Sequence, residues 1–137
     1  MAKKYNVGQA TGTFNGVAAA SAVTGNSVFL GNDTAKVTGL CALCVVLAET
    51  NTFTIAPKWQ VSNDASTWVD LTNGPQNAAA TVLATGTAGA DAAVTKAIPL
   101  PDAAYGFKFA RMALVAGGTT GASADTYTIG YCYSQNS

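Results

Sequence analysis

The 137-residue chain contains no histidine and a single glutamate, Glu49. Without histidine it lacks the commonest general base at neutral pH and a favoured zinc ligand. The six aspartates, Asp33, Asp64, Asp70, Asp91, Asp102 and Asp125, are dispersed. Most sit in or beside turn sequences, where such residues bond their own backbone. Asp64 and Asp70 flank one hairpin, but no loop carries the oxygen-ligand spacing of an EF-hand. There is no G-x-S-x-G elbow, phosphate loop or G-x-G-x-x-G turn. The chain is therefore read as a non-enzyme with no cofactor.

Charge is scarce as well. Seven basic and seven acidic residues give a net charge of zero, and only 10% of the chain is charged, against about 25% in typical soluble domains. No basic excess exists to neutralise phosphates, so neither nucleic acid nor an anionic membrane is an expected partner. Thr, Ser, Asn, Gly and Ala stand where Lys and Glu would normally sit. Such an exterior suits either a neutral domain or one covered by other subunits. The longest apolar run is Leu40 to Ala48, too short for the roughly 20 residues of a membrane-spanning helix. Met1-Ala2-Lys3-Lys4 leads into Tyr5-Asn6-Val7-Gly8-Gln9 rather than an apolar stretch, so synthesis in the cytoplasm is expected.

Three cysteines remain, two of them in Cys41-Ala42-Leu43-Cys44. On a strand, residues three apart point to opposite faces, with Cα atoms about 10 Å apart. A disulfide needs them within about 7 Å. Cys132 lies on the parity that could approach either one. The expectation is three buried free thiols.

What the chain does contain is alternation. Phe53, Ile55, Trp59 and Val61 fall on every second position, with Thr54, Lys58 and Gln60 in the gaps. Period two places apolar groups on one face of an extended chain. The cluster Ser62-Asn63-Asp64-Ala65-Ser66, followed by Thr67-Trp68-Val69-Asp70-Leu71, makes this a hairpin. Pro57 has no N–H to give a ladder, which predicts an edge or kink there. Leu40 to Ala48 is apolar on both parities and reads as a central strand. Ser27 to Leu30, Ala79 to Thr85 and Ala93 to Ile98 are weaker strands. Phe107 to Val115 is a strong one whose parity changes, predicting a bulge or two covered faces. Tyr127, Ile129, Tyr131 and Tyr133 close the chain with a second clean alternation.

About eight short strands with turn signals between them predict an all-β fold: a two-sheet sandwich with jelly-roll or Greek-key connections. Residues 27–137 form its body. Residues 1–26, poor in large apolar groups, are either an extended N-terminal arm or a first strand.

Trp59-Gln60-Val61-Ser62-Asn63-Asp64-Ala65-Ser66-Thr67-Trp68-Val69-Asp70-Leu71 resembles a hairpin of small β-sandwich proteins in tailed-phage virions. A strand resembling Phe107 to Leu114, a Gly/Thr loop and a last strand like Thr126 to Tyr133 follow in the same order. Ala65 departs from the glycine usual in that turn. Among such proteins the chain looks most like a capsid decoration, or cement, protein. The resemblance implies a jelly roll, often trimeric, bound to the major capsid protein on the outside of an assembled shell. It also implies synthesis in the host cytoplasm. Lys3, Lys4, Tyr5 and Phe14 are then the candidate interface residues of the N-terminal segment. A phage tail or fibre component is the near alternative. A carbohydrate-binding module is the other, since discoidin-like sugar- or lipid-binding domains carry similar turns.

Overall fold

A computed structural model describes residues 2–13, 21–31, 36–48, 53–71, 84–86, 92–118 and 126–135. They form ten strands: β1 (Ala2–Thr13), β2 (Ser21–Thr24), β3 (Val28–Phe29), β4 (Val37–Ala48), β5 (Phe53–Ser62), β6 (Val69–Asp70), β7 (Ala84–Gly86), β8 (Ala92–Pro99), β9 (Phe109–Gly118) and β10 (Thr126–Gln135). A short 3-10 helix, Asp102–Gly106, precedes β9.

The first sheet runs β1-β10-β4-β8, and every pairing in it is antiparallel. The second is built on the β5–β9 pair. Short β2 and β3 share the free side of β9, and β6 and β7 share the free side of β5. With each shared side counted as one lane, the chain fills eight lanes, ordered 1-8-3-6 in one sheet and 2-7-4-5 in the other. That is the jelly-roll order, two Greek keys wrapped into a sandwich.

Pro57 shows how the sequence shaped this layout. An edge or kink was expected there; β5 lies inside its sheet, but its side next to Pro57 is open. Trp59 O accepts from Leu71 N at 2.9 Å on the β6 side. Alternate residues of a strand direct their polar groups to the same side, so the missing N–H of Pro57 points the same way. It falls between β7, which pairs Phe53 to Ile55, and β6, which pairs Gln60 and Val61. The interrupted lane costs no ladder bond there.

The parity change expected around Phe107 is absent. The β5–β9 register runs unbroken from Phe53↔Gly118 to Ser62↔Phe109. Phe107 lies before the strand, next to the 3-10 helix, and carries no strand parity. Ala110, Met112 and Leu114 face inward, and Ala113 on the other face is buried too.

The core joins the inner faces of both sheets. Trp59, Tyr131, Leu40, Met112, Leu114, Ile129, Val61 and Cys44 are its largest fully buried side chains. Polar contacts among the described residues also cross it. Trp59 Nε1–H donates to Pro99 O at 3.0 Å. Tyr131 Oη accepts from Met112 N at 3.1 Å. Tyr105 Oη, from the 3-10 helix, accepts from Leu40 N at 2.7 Å. Beside that contact, β4 carries an extra residue against β10 between Cys132 and Ser134. Gly39 takes the left-handed conformation there, φ 64°, which only glycine adopts without strain.

Candidate contact surface

Three neighbouring surfaces carry the groups able to meet a partner. The first is the Ser62–Thr67 turn. Asp64 Oδ1 accepts from Ser66 N at 2.8 Å and Thr67 N at 2.7 Å, and from Ser62 Oγ at 2.9 Å. Ser62 Oγ in turn accepts from Ala65 N at 3.0 Å. Ala65 sits at φ 60°, so the turn keeps its left-handed residue although alanine replaces glycine. The side-chain bonds hold it in that strained conformation. The amides of Thr67 and Ser66, more than any other group, draw the Asp64 carboxyl down to about 2.

This depression has a defined pH consequence. Because the folded pKa lies below the unfolded one, the turn's contribution is present above about pH 4 and is lost as pH falls towards 2. Asp64→Asn keeps an acceptor oxygen but cannot titrate. Its Tm should fall less than the wild type's when pH is lowered from 5 to 2. Equal falls in the two proteins would show that Asp64 contributes nothing to acid sensitivity.

The second surface is the outer face of the β5–β9 sheet. Lys58 Nζ meets Asp70 Oδ2 at 3.0 Å, and Gln60 Nε2 donates to Asp70 Oδ1 at 2.8 Å. Arg111 Nε donates to Gln60 Oε1 at 2.8 Å, while its guanidinium lies 4.2 Å from the centre of the Trp68 ring. Alternation put Lys58 and Gln60 on this face. It could not show that Arg111 would join them with its guanidinium over Trp68. Asp70 is held below the usual carboxylate range, first by Gln60 and then by Lys58. Both hairpin aspartates thus have protein partners.

The third surface is apolar. Phe29 and Phe109 pack with ring centres 5.3 Å apart, and Phe29 is 45% exposed. Val69 and Phe107 are 59% and 37% exposed and line a cleft of about 210 Å³ beside Val61 and the turn. Phe107 also borders a cleft of about 360 Å³ with Lys36, Tyr105 and Lys108. Sequence reading missed this end of the sandwich. Its only signal was apolar residues next to turn residues.

Of the residues singled out in the sequence, Lys3, Lys4 and Tyr5 lie exposed on β1, opposite Ser134, Tyr133 and Cys132. Tyr5 is 66% exposed. Phe14 lies outside the described residues. The three cysteines are free, but only Cys44 is buried, because β4 turns Cys41 to the other face and Cys132 lies beside it. Burial raises the Cys44 thiol to about 12. Among the described residues no cluster of three metal-ligating groups occurs, and no helix is long and apolar enough to cross a membrane.

No protein-family model matches the chain, and no curated protein matches it. Solved structures do. The chain is similar to one in the structure of infectious bursal disease virus, Gx strain, with a TM-score of 0.55 and 12% identity. The match takes in 98% of this chain and 31% of that one, so this chain spans about a third of its neighbour's length. A chain in the structure of the Gt strain aligns at a TM-score of 0.48 and 8% identity, over 98% of this chain and 32% of that one. At such identities the likeness is one of fold.

Proposed function

We propose that the protein is a structural component of a virion, and within that class a capsid decoration (cement) protein of a tailed phage. The observation that carries this reading is the jelly roll itself, aligned along 98% of its length with a chain of a virus structure. The surface supports it. Lys58, Asp70, Gln60 and Arg111 satisfy one another, while Phe29, Val69 and Phe107 remain exposed. A protein of this kind works by contact. It binds the assembled shell better than free subunits and so stabilises the assembled state by linkage. Many weakly bound copies act together. Lys3, Lys4, Tyr5 and Phe14 are the proposed contacts of the N-terminal segment with the major capsid protein, and a trimer is the proposed assembly. A tail or fibre position is the alternative within the same class. A carbohydrate-binding role has less support: Trp59 and Tyr131 are sealed in the core and Trp68 is covered by Arg111.

The test is co-sedimentation of the purified protein with shells of the encoding phage, before and after expansion. Binding to expanded shells alone is expected, and it should change little between low and moderate salt because only 10% of the chain is charged, with no net charge. Tyr5→Ala should weaken it without lowering Tm. Retention on a glycan matrix with no shell binding would overturn the reading.

A further inference from the structure

Cys41 and Cys132 stand directly opposite each other in the β4–β10 register. Opposed residues of an antiparallel pair have Cα atoms about 4.5–5.5 Å apart, inside the span that disulfides occupy. Cys132 Sγ already lies 3.8 Å from Cys41 O. Both side chains are partly exposed, whereas Cys44 is fully buried on the inner face. The pair thus combines proximity, access and a shared face, and a third thiol is kept away from it.

We propose that Cys41 and Cys132 close into a cross-strand disulfide that staples the two central strands of the first sheet. The oxidant is an external disulfide of the glutathione class. A thiolate of the pair attacks one sulfur of that disulfide, expels one glutathione thiolate and leaves a mixed disulfide. The neighbouring thiolate then attacks the protein sulfur and expels the second glutathione. Two protein thiols are oxidised and one external disulfide is reduced to two thiols, which take up the two protons. In a reducing cytoplasm the pair stays open, and after release into oxidising surroundings it closes. The bond joins strands distant in sequence, so it constrains a long loop of the unfolded chain. The inference stands apart from the virion reading, since it rests on register alone.

Oxidised glutathione added to the folded protein tests it. Thiols titrated in denaturant should fall from three to one, with a loss of two hydrogens by intact mass. Peptide mapping should link Cys41 to Cys132. The Tm should rise by on the order of 10 °C and return on reduction. Cys41→Ser and Cys132→Ser should each retain two titratable thiols under the same treatment. Three remaining thiols, a stable glutathione adduct, a link through Cys44, chain dimers or an unchanged Tm would each overturn the staple.

Discussion

Trp59→Ala should cost about 4 kcal/mol, a large share of the roughly 5–15 kcal/mol that holds an ordinary domain folded. The side chain is fully buried at the centre of β5 and packs on Tyr131 with ring centres 6.3 Å apart. Alanine would leave a cavity between rigid sheets that cannot collapse to fill it. The indole also bonds Pro99 O, which ties the second sheet to the end of β8. Trp59→Phe separates the two roles. It keeps most of the volume but leaves that carbonyl without its donor, at a cost of roughly 1–3 kcal/mol. Urea titrations of both variants check the order, alanine well below phenylalanine. Equal midpoints would mean that the hydrogen bond, not the volume, is what the site requires.

Gly25→Ala should cost about 3 kcal/mol although it adds a single methyl group. Gly25 lies between β2 and β3, where its N–H donates to Met112 O at 2.8 Å. A Cβ there would come within 2.5 Å of Tyr131 Oη and 2.8 Å of Ile129 Cγ2. Neither side chain has room to retreat, because both are fully buried. The tyrosine hydroxyl is also the acceptor for Met112 N, so moving it leaves a buried amide unpaired. Burial holds the Tyr131 phenol up at about 12, so it remains a neutral hydroxyl throughout the working pH range. Tyr131→Phe removes the closest obstacle. In a double-mutant cycle, Gly25→Ala should be milder in the phenylalanine background by 1 kcal/mol or more. Strict additivity would show that the clash is relieved elsewhere.

The two variants bear on how legible this fold was in the sequence. Alternation at Trp59–Val61 and at Tyr127–Tyr133 marked the faces of β5 and β10, because each has one side against the core. The doubly apolar run of β4 marked a central strand, and β4 lies between β10 and β8, with Leu40, Ala42 and Cys44 buried and Cys41, Leu43 and Val45 half-buried. Pro57 was visible as a missing donor, but an edge and an interrupted neighbouring lane satisfy it equally, and only the pairing of β6 and β7 decides between them. Gly25 carried no local sign of its role, since the constraint comes from a tyrosine more than a hundred residues later. The cysteines failed for a related reason. Spacing within β4 correctly separated Cys41 from Cys44, but which of them Cys132 approaches depends on the β4–β10 register, Cys132↔Cys41 and Ile129↔Cys44, which no local pattern specifies.

The candidate surface was less legible than the fold. Lys3, Lys4 and Tyr5 were chosen because the first 26 residues hold few groups able to build a core, yet Ala2–Thr13 pairs along β10 as the first strand of the sandwich. Val69 and Phe107 line an exposed cleft where the Ser62–Thr67 turn meets the end of the 3-10 helix. No local pattern announces such a meeting.

The protein composition of virions purified from cells that produce this chain, measured by quantitative mass spectrometry, tests the functional account most directly. The account predicts that this chain stays with the particles through a density gradient, in a copy number comparable with that of the main shell protein. Its recovery only in the soluble lysate, with none on the particles, would contradict the account.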